Sequence, residues 1–366
     1  MRKPKITYSE VGDNYDTKDP IKKLAQTAAA STAKNLKTGF EEVTESRGES
    51  AYVVKSGEIY IASVTEGLGT KNLVADEMRK VTEKTYYNII GHDTVATIVN
   101  DLITVGAKPL NIHAYWAIED NGWLQDEKRM SDLIKGWTDA CNLAEVSWGG
   151  GETPTLKGII AAGTVDLGGS AVGIISSEKR LITDKKLNTG DRILLIKSNG
   201  LNANGLSLAR AVAEKLEQGY ATKLEDGSLY GEAILTKTNI YVKLIEDLLD
   251  GVNIHYISNI TGHGLRKIMR SSKNFTYVVE KLFEAQEVFN FIQEKAGLND
   301  YEMYSTYNMG QDYAVFVPSS DVVKAQEIIS QNGFESLDAG YLEEGERKVV
   351  IKPKDIIFEG KTLNLR

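Results

Sequence analysis

The stretch Asn100-Asp101-Leu102-Ile103-Thr104-Val105-Gly106-Ala107-Lys108-Pro109 joins the end of a helix to the start of a strand. Upstream of it Val95, Ile98, Val99 and Leu102 recur at helical spacing, which predicts a helix over Asp93 to Val105. Asp93 reads as its N-cap, and Gly106 falls at C′, where a left-handed glycine closes a helix. The other face carries Asp93, Thr97 and Asp101 at i, i+4 and i+8, with Asn100 beside them. Short oxygen-bearing groups on one face, with no Lys, Arg or Glu among them, can collect a hard cation such as Mg²⁺, which takes further oxygens from phosphates. The plainer reading is a solvated polar face. Leu110 to Ala117 then reads as a strand.

Two glycine-bearing segments flank this core. Ile59 to Thr65 is rich in β-branched residues, predicts a strand, and runs into Thr65-Glu66-Gly67-Leu68-Gly69-Thr70-Lys71. Glycines behind a strand let backbone amides approach an anion, and a following lysine can neutralise phosphate charge. The spacing is not that of a Walker A loop, and a strand-exit turn is the alternative. Downstream lies Gly149-Gly150-Gly151-Glu152-Thr153-Pro154. Successive glycines carry a high conformational entropy, so they point to close approach or unusual dihedrals, with Glu152 placed to hold a metal, a ribose or an amide. A tight turn explains them as well.

Further out, a helix is predicted from Asp19 to about Asn35, and another where Met130, Leu133, Ile134, Trp137, Cys141 and Ala144 form an apolar stripe. Gly158 to Ile175 reads as two short buried strands around a Gly-Gly turn. The polar, lysine-bearing segment Ser176 to Asn188 separates a first domain, 1–175, from a second, 176–366. That second half opens with the strand Asp191 to Ser198, a turn over 199–205 and a helix with Leu206, Ala209, Val212, Ala213 and Leu216 inward. A helix around 232–250, the loop Asn259-Ile260-Thr261-Gly262-His263-Gly264 and strands near 275–280 and 313–318 follow. Helices alternate with strands in both halves, which predicts an α/β (α+β) fold.

The 366 residues suffice for two domains with sizeable cores, and 42% hydrophobic with 26% charged residues is ordinary for a soluble globular chain. A formal net charge of −8 argues against nucleic acid as a partner but leaves room for a local phosphate site. A single cysteine, Cys141, excludes an intrachain disulfide and reads as core packing in a reducing, cytoplasmic protein. Arg2-Lys3-Pro4-Lys5 is followed by no apolar run, and no membrane span is expected. His92, His113 and His255 read as structural.

The order of the motifs is distinctive. Thr65-Glu66-Gly67-x-Gly69-Thr70-Lys71, then Asn100-Asp101-x4-Gly106-Ala107-x-Pro109, then Gly150-Gly151-Glu152-Thr153 resembles the AIR synthetase superfamily, and within it the phosphoribosylformylglycinamidine cyclo-ligase (AIR synthetase) family. Ile6 to Gly12, Ser198 to Leu208, Ile260 to Gly264, Tyr307-Asn308-Met309-Gly310 and Asp338 to Leu342 are similar to segments of that family. Other members fit less well: there is no N-terminal reactive Cys as in selenophosphate synthetase, and no Cys-bearing tail as in the hydrogenase-maturation member. Departures are Glu66 for the usual Asp, Asn202 and Asn259 for histidines, and His263 for a loop glycine.

The resemblance implies two domains, the first pairing through its sheet into a barrel in a homodimer, with ATP and Mg²⁺ as cofactors. It implies ATP-dependent cyclisation of formylglycinamidine ribonucleotide to aminoimidazole ribonucleotide, or, as the alternative, a paralogous kinase or ligase or a non-catalytic nucleotide-binding subunit. Under it Lys71, Asp101 and Glu152 are catalytic, with Glu66, Asp93 and Asp101 on the metal. ATP and its phosphates would be held by Thr65, Glu66, Gly67, Gly69, Thr70, Lys71, Asn100, Asp101, Gly106, Gly149, Gly150, Gly151 and Thr153. The substrate phosphate would fall to Asn202, Asn204, Gly205, Ser207, Thr261, Gly262 and Gly264.

Overall fold

The computed structural model describes residues 5–7, 11–12 and 15–363. Arg2 to Pro4, Tyr8 to Glu10 and the tail Asn364-Leu365-Arg366 therefore lie outside the described residues. The first half contains β1 (Phe40–Glu42), β2 (Tyr52–Ser56), β3 (Ile59–Gly67), β4 (Lys108–Ile118), β5 (Ser147–Glu152) and β6 (Val165–Ile175), ordered β1-β2-β3-β6-β4-β5 in one sheet. Its helices are α1 (Tyr15–Ala30), α2 (Lys71–Thr82), α3 (Tyr87–Leu102) and α4 (Glu127–Leu143).

In the second half the chain runs β7 (Arg192–Lys197), α5 (Leu206–Ala213), α6 (Tyr230–Ile234), α7 (Val242–Gly251), β8 (Tyr256–Asn259) and β9 (Phe275–Val279). It continues through α8 (Glu287–Ala296), α9 (Asp300–Tyr304), β10 (Gln311–Val317), α10 (Val322–Gln331), β11 (Ser336–Glu344), β12 (Lys348–Ile351) and β13 (Ile356–Glu359). This sheet has the order β13-β12-β9-β11-β7-β10-β8. The molecule is a two-sheet, mixed α/β protein. Among the described residues no helix is long and apolar enough to cross a membrane.

The helix expected from Asp93 starts earlier, at Tyr87, so Asp93 is an interior residue and not a cap. The reason is tertiary: α3 packs on α4, on β3 and on β6, and all but a few of its residues are buried. Asp93 and Asn100 of its polar face are tied to the second half, while Thr97 and Asp101 face a cleft between the halves. Gly106 does end the helical run, in the left-handed region at φ 82°. Cys141 is buried in the core, where burial pushes its thiol up to about 12.

The Gly-Gly pair at 168–169 is not a turn. β6 runs through it as one strand and pairs with β3 on one side and β4 on the other. A Cβ at 169 would lie 2.3 Å from the His113 carbonyl oxygen, so close strand packing explains the glycine. The first sheet ends at Ile175 and the second opens at Arg192. The N-terminal segment, grouped above with the first half, docks on the second. The Ile6 N–H donates to Ala296 O at 3.0 Å, and Asp19 meets His263 Nε2 at 3.2 Å.

Candidate active site

A cleft of about 600 Å³ opens between the halves. One wall is the exit of β3 into α2, with Glu66, Gly67, Gly69 and Thr70, beside Thr97 and Asp101 of α3. The other is made by the second-half loops, with Asn204, Gly205 and Ser207 from one and Thr261, Gly262, His263, Lys267 and Arg270 from the next. Residues 48–50 and Lys18, Lys22 and Gln26 of α1 close the remaining side.

Glu66 and Asp101 form the acidic centre. They share a side-chain hydrogen bond, and burial together with the neighbouring Asp101 charge pushes Glu66 up to about 7. Asn259 Nδ2 donates to Asp101 Oδ1 at 2.7 Å, which fixes that carboxylate. Two carboxylates forced together on a cleft wall fit a divalent cation. Among the described residues no group of three or more His, Cys, Asp or Glu side chains could hold a metal. Glu66 and Asp101 would therefore supply part of an oxygen shell, with phosphates and water completing it, as suits Mg²⁺.

Facing them is a basic pair. Burial, and then the Arg270 charge, bring Lys267 down to about 7. The Arg270 guanidinium donates to Gly48 O at 2.9 and 3.1 Å and to Ser50 Oγ at 2.9 Å, pinning the 48–50 segment to the cleft. Glu49 lies against it at 3.4 Å and accepts from Tyr256 Oη at 2.8 Å. His263 is buried and pushed down to about 2 by burial and by Lys267 and Arg266, so it is a neutral ring beside Asp19.

Several residues expected here are elsewhere. Lys71 is fully buried, donates to Asp93 Oδ2 at 2.5 Å and to Thr236 O at 2.8 Å, and does not reach the cleft. Asp93 is committed to that ion pair, and its second oxygen accepts the Thr238 N–H at 2.9 Å. Its side chain is fully buried and does not line the cleft. Asn100 donates to Asn239 O at 2.7 Å and accepts from Tyr241 N at 3.1 Å, so it too ties α3 to the second half. Gly106 packs against Arg180 O, and Gly264 against Tyr304 O. Asn202 donates to the buried Asp312 at 2.7 Å, behind the cleft.

The glycine run proves to be strand, not loop. β5 continues through it beside β4, with a register shift opposite Ile112 and Ala114 and Gly150 at φ 105°. A Cβ at 151 would sit 2.1 Å from Ala114 O, which is the close approach the sequence hinted at. Gly149, Gly151 and Glu152 line a separate hollow of about 860 Å³ on the open face of the first sheet, with Thr65, Glu66, Gly67 and His113. Glu66 and Gly67 line both spaces; Gly150 and Thr153 line neither. His92 Nε2 donates to Thr238 O at 2.9 Å, and His255 Nδ1 meets Asp191 at 2.8 Å, which are structural contacts. Lys267, Arg270 and Glu49 were missed. The run Arg266-Lys267-x-x-Arg270 behind the glycine loop was the available signal.

An acidic pair, a basic pair and glycine loops surround one cleft, an arrangement whose chemistry can take a phosphate-bearing ligand. The chain belongs to the AIR synthase related family: the N-terminal domain of that family matches residues 48–175 and the C-terminal domain residues 188–352. Its relatives include phosphoribosylformylglycinamidine cyclo-ligases. One from Clostridium perfringens is 34% identical over 95% of this chain and 100% of its own length. One from Methanothermobacter thermautotrophicus is 33% identical over 88% and 91%, and one from Methanococcus maripaludis 31% over 93% of each. Among solved structures, thiamine-monophosphate kinase from Stenotrophomonas maltophilia superposes with a TM-score of 0.58 at 14% identity, covering 83% of this chain and 90% of that one. A hydrogenase maturation protein in complex with ATP gives 0.57 at 16%, covering 81% and 82%. At such identities the likeness speaks for the fold alone.

Proposed function

We propose that this protein is an ATP-dependent cyclo-ligase that converts formylglycinamidine ribonucleotide to aminoimidazole ribonucleotide in purine biosynthesis. The observation that carries the reading is the Glu66–Asp101 acid pair facing Lys267 and the Gly205 and Gly262 loops across one cleft. The relatives' names support it over nearly the whole chain. In this chemistry the formyl amide oxygen attacks the γ-phosphorus of ATP, and the bond from that phosphorus to the bridging oxygen breaks to release ADP. The amidine nitrogen then attacks the activated carbon, the carbon–oxygen bond breaks, phosphate leaves and the nitrogen loses its proton. Glu66 and Asp101 would hold Mg²⁺, which would supply charge neutralisation at the phosphates.

The residues do the positioning. Asn259 orients Asp101; the loops carrying Asn204 to Ser207 and Thr261 to Gly262 offer polar groups for the ribose phosphate. Asn202 and Asn259 hold hydrogen bonds where an imidazole would also exchange protons, so ring closure here uses no histidine at either position. The same reading makes the protein a cytoplasmic homodimer. Exposed Tyr115 and Leu110 on β4 support a second copy against the first sheet. Incubation with formylglycinamidine ribonucleotide, ATP and Mg²⁺ should release ADP and a diazotisable aminoimidazole in equal amounts. ADP release only with another acceptor would assign the site to a paralogous kinase or ligase.

A further inference from the structure

The cleft contains a cation with nothing to hold. Lys267 is 7% exposed, yet among the described residues its ammonium has no hydrogen-bond or ion-pair partner. The contrast with its neighbours is direct. Arg270 spends its guanidinium on Gly48 and Ser50, and Arg266 spends its own on His263 O, Thr362 O and Ser305 O. Lys71 is consumed by Asp93. Lys18 and Lys22 lie on the exposed face of α1. A buried ammonium without partners is costly, and folds retain one where a ligand completes it.

The position of Lys267 says which ligand. Its backbone is fixed, since the Lys267 carbonyl accepts from Ser258 Oγ at 2.6 Å, so the side chain is presented from a short helical turn, Gly264–Met269. Lys267 lines the same cleft as Asp101 and Glu66, and the charges of both carboxylates act on its ammonium. Only an anion bridging that centre, with oxygens for both a divalent cation and an ammonium, satisfies both sides. We infer that Lys267 is a further catalytic residue, binding the phosphoryl group as it passes from ATP to the amide oxygen and leaves as inorganic phosphate. An adjacent phosphoryl group favours the charged ammonium, which donates hydrogen bonds to the non-bridging oxygens and forms and breaks no covalent bond. Lys267 thereby takes the role that the resemblance implied for Lys71, an assignment that rests on the phosphoryl-transfer reading above.

The test uses the full-length protein with Lys267→Met, Lys267→Arg and the wild type. Lys267→Met should lower kcat by about 10²–10³-fold with the KM for the ribonucleotide nearly unchanged, the scale of losing one preorganised charge on a transition state. Lys267→Arg, which keeps a cation, should recover at least about a tenth of the activity, on the order of the gap between a compact ammonium and a planar fork. Ligand-free Lys267→Met should melt at or above the wild-type temperature, which separates loss of catalysis from failure to fold. Inorganic phosphate, at matched ionic strength against chloride, should raise the melting temperature of the wild type and not of Lys267→Met. A raised KM for the ribonucleotide at unchanged kcat would assign Lys267 to the ribose phosphate and overturn the inference, as would an unaltered kcat and phosphate response. A wild type that releases no ADP would sink the function reading instead, and the phosphate melting response would still show whether Lys267 binds an anion.

Discussion

Asp93 and Asp101 sit eight residues apart on one face of α3, with the same side chain and the same helix around them. Asp93 is sealed against Lys71 and the Thr238 amide and serves only to join the two halves. Asp101 is also largely buried, yet it lies at the cleft wall beside another acid, Glu66. The difference comes from what the second half lays against each residue. Residues 236–238 close over Lys71 and Asp93, and 239–241 hold Asn100, whereas the loops 203–207 and 261–263 line an open space beside Asp101. One polar stripe is therefore adhesive at Asp93 and Asn100 and open to the cleft at Asp101.

Separating the two acids experimentally gives the largest effect. Asp101→Asn should lower turnover by about 10³-fold or more while leaving circular dichroism and melting nearly unchanged, because a ligand on the phosphate charge is lost. Asp93→Ala should do the reverse. It strands the Lys71 ammonium in the interior and should cost about 3–5 kcal/mol in urea unfolding, with kcat per folded molecule changed only a few-fold. The double change Asp93→Leu with Lys71→Met should recover most of that stability.

A smaller effect is expected behind the cleft. Asp312 is fully enclosed, and burial pushes its carboxyl up to about 6 although Tyr241 and Asn202 donate to it. Its folded value lies above the ordinary 3.8, so the folded state binds more protons between the two. Stability should fall as pH rises from about 4 to about 6, by on the order of 2 kcal/mol. Asp312→Asn should flatten that window in urea titrations at fixed ionic strength; an unchanged slope would mean that another group sets it. Least affected is Cys141, whose thiol should resist a thiol reagent at pH 8 in the native protein and react fully in denaturant.

Much of this was legible in the sequence where local chemistry decides. The apolar spacing of Val95, Ile98, Val99 and Leu102, the glycine at 106 and the strand behind it follow from periodicity and a left-handed cap. The order of the glycine motifs was enough to reach the family. What was not legible depended on long-range packing. Lys71, just past a glycine turn, has every local feature of a phosphate ligand, and only the placement of residues 236–238 shows that it points into protein. Gly168-Gly169 has the local features of a turn, and only the flanking β3 and β4 make it a central strand. Lys267 sits 166 positions from Asp101 in sequence, so no spacing rule could pair them.

The central claim is that the amide oxygen of the ribonucleotide takes a phosphoryl group at the Glu66–Asp101 wall. The direct measurement labels that formyl oxygen with ¹⁸O and follows the label through turnover with ATP and Mg²⁺. Attack by the amide oxygen predicts that the label appears in the released inorganic phosphate, one atom per aminoimidazole formed. Label recovered in water, or ADP released without labelled phosphate, would contradict the account.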